Sequence, residues 1–203
     1  LEIQNFPNNK FFFYENDISN LDKTFEDIKK LPNDLSAVFW ISGYTGNPDL
    51  EFTNIDECIK NLSVNFTNIV LCINILTKKL ILNSETFICV ITSVSGLRGR
   101  NKRLFNSAAK AGLISYLSGL RQRFHNKLKI ITVIPGYIKT NTFEKNIKTN
   151  MPEFLISTPE KCAQIIFDGI KKNKDIIYVD TSWRIIMTIV NLIPEYFFKK
   201  FNF

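Results

Sequence analysis

Ser93 stands where the apolar run TFICVIT gives way to SVSG, and Lys110 follows 17 residues later in AAKAGLISYLSGLR. Asn65 lies in NLSVNFTN, and Pro135 to Thr142 form the turn PGYIKTNT. Brought together, such groups can act on an oxygen: a hydroxyl polarises a carbonyl, and an ammonium orders a water able to deliver a proton. Metal chemistry has no comparable set. His125 is the only histidine, and Cys58, Cys72, Cys89 and Cys162 form no C-x-x-C pair, which excludes a two-histidine site and zinc-type spacing.

The elements that must position these residues are read from periodicity. Short β-rich runs alternate with helical patterns, which predicts an α/β fold with a parallel sheet. Lys10 to Glu15 (KFFFYE) is a strand candidate, followed by Asp17 and a helix from Leu21 to Leu31 that Pro32 closes. Ser36 to Ile41 is a continuous apolar run, expected of a strand buried on both faces. The loop holding Ser42 and Gly43 then leads to a long helix, Asn54 to Leu80. Thr86 to Thr92 is the next buried strand, so Ser93 falls at its carboxyl end. Apolar residues at helical spacing predict a helix from Leu104 to Phe124, which carries Lys110. Lys129 to Ile134 is a strand ended by Pro135-Gly136, Thr158-Pro159 opens a helix with an N-cap and a first-turn proline, and Asp175 to Asp180 is the last strand. The carboxyl ends of parallel strands are where open α/β sheets bind ligands.

Composition bounds the rest. With 203 residues, 45% hydrophobic and 22% charged, the chain reads as one globular domain rather than a disordered, collagen-like or coiled-coil protein. The net charge of +7 is uneven: residues 1 to 97 carry a net −5 and residues 98 to 203 a net +12. An anionic partner therefore belongs to the second half, but no nucleic-acid-binding pattern accompanies the basic residues, and no nucleic acid is expected. Buried-looking, unpaired cysteines predict reduced thiols and a cytoplasmic chain. No apolar run reaches the ~18 residues of a spanning helix, no signal peptide is read in the sequence, and residue 1 is Leu rather than Met, which is compatible with processing or a partial gene.

The ordered set of Ser93, Asn65, Lys110 and PGYIKT resembles the short-chain dehydrogenase/reductase family, over residues 10 to the C-terminus. The resemblance implies a Rossmann-like doubly wound parallel sheet, a nicotinamide cofactor (NAD or NADP), carbonyl or alcohol redox chemistry and a homo-oligomer. In that family a Ser and a Tyr hold the substrate oxygen, a Lys lowers the Tyr pKa and an Asn supports a water relay. Ser93, Lys110 and Asn65 match three of these places. The Tyr position falls on Asn106, in LFNSAAK, and an amide cannot exchange a proton near neutral pH. Three explanations stay open: lost function, a specialised variant, or an error in the sequence. Tyr116, six residues past Lys110, points to another helix face and is a poor substitute.

The cofactor contacts implied by the same resemblance are Asp17 toward adenine, Ser42 and Gly43 toward ribose, Lys110 toward the nicotinamide ribose, and Pro135, Gly136, Ile138 and Thr140 around the carboxamide. The family's Gly-rich turn for the pyrophosphate has no counterpart, since the first glycine is Gly43. Lys10 to Glu15 resembles the third strand of the fold, which implies that about two strands and a helix precede residue 1. Residues 1 to 182 are accordingly read as an incomplete Rossmann-like domain and 183 to 203 as an amphipathic aromatic segment.

Within the family, SVSGLRGR, GLISYLSGLRQR and the C-terminal run look most like the reductase subunit of decaprenyl-phospho-ribose epimerase. That likeness implies a small-molecule or polyprenyl-phosphate-linked keto-sugar substrate, with Arg98, Arg100, Lys102 and Arg103 near an anionic headgroup; a solvated loop is the plainer reading. The stripe of Trp183, Ile185, Ile186, Ile189, Val190 and Ile193 predicts peripheral contact at the inner membrane face or packing against a partner subunit. The function expected is that of an oxidoreductase impaired at Asn106; the alternative is a non-catalytic binding or dimerisation protein.

Overall fold

The computed structural model describes residues 17–51, 53–140 and 152–201; the expected strand at 10–15 and Thr142 lie outside them. Four parallel strands form the sheet: β1 (Ala37–Trp40), β2 (Phe87–Ile91), β3 (Lys129–Pro135) and β6 (Ile176–Val179), in the order β1-β2-β3-β6. Beyond β3 the chain makes two short strands, β4 (Tyr137–Ile138) and β5 (Ile156–Ser157), which pair with each other. Helix α1 is Leu21–Lys30, α2 is Ile55–Leu62 and α3 is Asn68–Leu76. Helix α4 is Leu104–Arg123, α5 is Pro159–Lys171, α6 is Thr181–Leu192 and α7 is Glu195–Phe198. The expected elements from residue 21 onward are therefore present, most within one or two residues, and their starts have physical causes. Asn20, Asn54 and Thr158 each accept a first-turn N–H, and Pro159 follows Thr158 where its missing N–H is harmless.

Period-two alternation divides the core between the two faces of the sheet. Ile88, Val90 and Ile130 meet Ile69 and Ile73 of α3 and Leu113 and Leu117 of α4. Cys89, Ile131 and Val133 face the other way, with Cys162 of α5. Burial pushes the Cys72 thiol up to about 11 and that of Cys89 up to about 12, so these are core residues.

Three expectations are corrected. The β1 run is not buried on both faces: Phe39 is 52% exposed, because no described helix covers its side, and its ring meets Phe87 edge-on at 5.3 Å. The long helix continues from α2 to α3 through one π turn, Ser63–Thr67, and ends at Leu76. The whole rod, Ile55–Leu76, is long and apolar enough by length and composition to cross a membrane, although polar residues leave no unbroken apolar run of that length in it. Its inner face nevertheless packs in the core, with Asn61, Asn65 and Asn68 buried.

The third correction concerns the aromatic stripe. Trp183, Met187 and Val190 of α6 are buried with Val94, Ile134 and Leu155, so Trp183 is a core residue and not an interfacial one. Its Nε1 donates to the Leu155 carbonyl at 3.0 Å, and its ring fills the space beside Gly136, where an added Cβ would lie 2.0 Å from Nε1. Only glycine lets the chain turn here after β3. Overpacking of this kind costs about 1–3 kcal/mol. Gly136→Ala is expected to destabilise the protein by that amount in urea unfolding; a change under about 0.5 kcal/mol, the range of neutral surface substitutions, would contradict the packing described.

Candidate active site

The strand register brings the expected site residues to one level. Trp40 pairs with Val90, Ile91 with Val133 and Pro135 with Val179, so continuing the ladders sets Gly43, Ser93 and Pro135 side by side at the carboxyl edge. Helices α2–α3 and α4 then add Asn65, Asn106 and Lys110 from one face.

Asn65 is wholly buried in the π turn. Its Oδ1 accepts from the Tyr44 amide at 3.0 Å, and its Nδ2 donates to the Tyr44 carbonyl at 2.7 Å and to Asn61 Oδ1 at 3.0 Å. Both amide protons are thus committed, which makes Asn65 a clamp on the loop after β1. π turns interrupt helices mostly at functional sites; here the turn lies where the carboxamide reaches the strand end.

Asn106 continues the brace. Its Nδ2 donates to the same Tyr44 carbonyl at 3.3 Å, and its Oδ1 accepts from Ser95 Oγ at 3.3 Å. Ser93 Oγ in turn accepts from the Ser95 amide at 3.1 Å, which leaves its O–H free to donate. Where a proton donor was expected, the amide ties the loop after β2 to the loop after β1. Tyr44 supplies no replacement, because its hydroxyl donates to the Glu57 carboxylate at 2.9 Å, and burial with that carboxylate raises its pKa. Tyr116 packs against the core on the far face.

Lys110 is buried, and it makes no hydrogen bond or ion pair among the described residues. Its Nζ lies beside Gly43 and Asn65: a Cβ built on Gly43 would stand 3.6 Å from Nζ and 3.5 Å from Asn65 Oδ1. Burial disfavours the charged form and pulls the ammonium down to about 8. An unfolded lysine titrates near about 10.4, so the cost of burying the cation is fully present below pH 8 and is relieved as pH rises between these values. Ser42 Oγ, next to Gly43, is buried without a partner.

The other expected contacts are more dispersed. Asp17 is exposed in a turn capped by Ser19, whose bonds lower its carboxyl pKa, with a smaller contribution from the Lys60 charge; the buried Asn68 holds this turn through the Ile18 carbonyl. Gly136 is held against Trp183, Ile138 packs toward α5 and Thr140 is exposed beyond β4. The arginine cluster departs from the headgroup expectation. Arg98 donates to Glu195 at 2.8 Å and to the Ile193 carbonyl, and stacks on Phe198. Arg103 donates to the Thr45 carbonyl at 2.8 Å, and Arg100 to the Tyr137 hydroxyl at 3.3 Å. These cations fasten loops, and Lys102 alone of the four is fully exposed. The sequence reading missed Tyr44, whose backbone is the hub of the site; its only signal was the loop position after β1.

Comparison with known proteins identifies the family and the fold. The family profile described as short chain dehydrogenase matches residues 2–151. A dehydrogenase/reductase SDR family protein 7-like protein of Drosophila melanogaster is 27% identical over 169 residues, covering 77% of this chain and 51% of the relative. An 11-beta-hydroxysteroid dehydrogenase-like 2 of Arabidopsis thaliana is 30% identical over 115 residues, covering 55% and 37%. The chain therefore spans about half the length, or less, of these curated relatives. Among solved structures, a short chain dehydrogenase from Burkholderia cenocepacia in complex with NADP superposes with a TM-score of 0.74 at 17% identity, covering 89% of this chain and 76% of that one. A 3-oxoacyl-[acyl-carrier protein] reductase from Brucella melitensis in complex with NAD gives 0.65 at 18%, covering 88% and 79%. The parallel sheet is the Rossmann-like sheet of these structures, and this chain belongs to the short chain dehydrogenase family.

Proposed function

We propose that this chain carries the substrate side of an NAD(P)-dependent carbonyl reductase whose rate is limited at Asn106. The observation behind the reading is the convergence of Ser93, Asn65, Lys110 and Gly43 at the carboxyl edge of one parallel sheet. A nicotinamide half-site fits the residues present: Gly43 is exposed at this edge with Lys110 Nζ beside it, and among the described residues neither the Lys110 ammonium nor the buried Ser42 Oγ has a protein partner. No described segment offers the Gly-rich cradle for a pyrophosphate. A bound nicotinamide supplies the hydride.

The chain's own residues account for the rest. Reduction of a ketone leaves an alkoxide, and the free Ser93 O–H donates to the oxygen where that charge develops. Lys110 lends positive charge and orders the water that delivers the proton. Asn65 and Asn106 fix both loops, so the geometry is set before substrate arrives. What is missing is a positioned acid, which typically contributes ~10²- to 10⁴-fold.

For substrate, the reading is a ketone on a small molecule or a lipid-linked sugar, and a polyprenyl-phosphate headgroup is the less favoured of the two because Arg98, Arg100 and Arg103 already hold protein groups. Peripheral membrane contact has its own support. On α6 and α7 and just beyond them, Ile185, Ile189, Leu192, Tyr196, Phe197 and Phe201 are exposed beside Lys199 and Lys200, a composition suited to an anionic interface. The second reading, a non-catalytic relative, is favoured by one fact: Asn106 is built into the frame through two hydrogen bonds.

Two experiments separate these readings. Oxidation of NADPH with a panel of ketones should rise by ~10²- to 10⁴-fold on Asn106→Tyr; no gain would favour the non-catalytic reading. Replacing Tyr196, Phe197 and Phe201 together by Ser leaves the buried Trp183 face intact. It should weaken sedimentation with anionic liposomes by about tenfold or more, at about 1.5–3 kcal/mol per buried ring, and equal sedimentation would remove the membrane contact.

A further inference from the structure

Two charged side chains are buried among the described residues, Glu51 and Lys110. Glu51 has a structural task, because its Oε2 accepts the Leu104 amide at 2.8 Å and so caps α4. Lys110 has no hydrogen-bond or ion-pair partner among the described residues. Its Nζ is also not among the side-chain atoms sealed from solvent, unlike Ser42 Oγ and Ser107 Oγ. Gly43 is exposed, and a Cβ built on it would stand 3.6 Å from Nζ, so a small molecule that reaches Gly43 comes beside the amine.

We propose that Lys110 is a nucleophile that captures small aldehydes and ketones as imines, an activity that requires no nucleotide and goes beyond hydride transfer. The Nζ lone pair forms a C–N bond to the carbonyl carbon, and the carbonyl oxygen leaves as water with both amine hydrogens. Nothing is oxidised or reduced in this step. Three features of the site support it. The Ser93 hydroxyl is free to donate to the carbonyl oxygen, since its Oγ is used only as an acceptor from the Ser95 amide. Among the described residues the amine has no carboxylate or phenol to hold its proton. The Asn65 carboxamide beside it is fixed by Tyr44 and Asn61, so Nζ faces a preformed wall.

The charged groups on the surrounding elements are engaged elsewhere. Glu57 of α2 accepts from the Tyr44 hydroxyl and the Asn47 amide, Arg103 at the head of α4 donates to Thr45, and Arg100 after β2 reaches Tyr137. Asp17 lies by Lys60. Burial alone displaces the Lys110 proton, with the midpoint at about 8. Buried lysines are the ones that serve as Schiff-base amines.

The test is reductive trapping. The protein is incubated at pH 7.5 with one equivalent of propanal and cyanoborohydride, and adducts are located by peptide mass spectrometry. An amine titrating at 8 is about one quarter neutral there and an ordinary lysine about one thousandth. Lys110 should therefore be labelled roughly a hundredfold faster than exposed lysines, comparably to the α-amino group, with a labelling midpoint near pH 8. The adduct should disappear in Lys110→Gln and in Lys110→Arg, which keeps the cation. Label spread over exposed lysines with Lys110 unmodified in the native protein would overturn the proposal, whatever the variants do. Adding NADPH distinguishes this from the reductase reading: suppression supports both, whereas selective labelling that NADPH leaves unchanged supports the amine and counts against the nucleotide seat.

Discussion

The geometry of the site depends on one buried carboxamide. Asn65 bonds both the N–H and the C=O of Tyr44, and that backbone carries the next link, Asn106, which in turn holds Ser95 and through it the loop of Ser93. Removing the amide would leave two backbone groups without their partners in a region closed to water, and each such group costs about 1–3 kcal/mol. The clamp also explains the π turn. A regular helix would carry residue 65 at a different angle, and the extra residue in Ser63–Thr67 lets the side chain meet the strand end.

Lys110 is the cost that this frame supports. An unpaired buried ammonium opposes folding at neutral pH, and the described structure offers it no counter-charge. Local conflicts of this kind concentrate at functional sites. Asn106 makes the conflict sharper, because its two hydrogen bonds strengthen the frame and, among the described residues, offer the lysine no counter-charge.

Much of this was legible in the sequence, for physical reasons that can be named. The buried strands and the Thr158 cap follow from apolar runs and side-chain chemistry, and the pairing of Ser93 with Lys110 follows from the family resemblance. What escaped depends on tertiary contacts that leave no periodic trace. The exposed side of Phe39 reflects the lack of a covering helix among the described residues. The arginines near residue 100 read as an anion site from composition, yet Arg98 binds Glu195 and Phe198, which lie more than ninety residues away. Trp183 read as interfacial because its own helix is amphipathic; its burial is decided by Gly136 and Leu155. Backbone hubs such as Tyr44 are invisible to side-chain reasoning altogether.

The central claim is that Gly43, Ser93, Asn65 and Lys110 wall a single crevice in which a nicotinamide nucleotide sits. Amide spectra of the isotopically labelled protein, titrated with NADP to millimolar concentration, test it most directly. The account expects the perturbed amides to gather at Gly43, Tyr44, Ser93, Lys110 and Gly136, with the C-terminal helix near Phe198 unmoved. Perturbations centred on that helix, or none at saturating nucleotide, would contradict it.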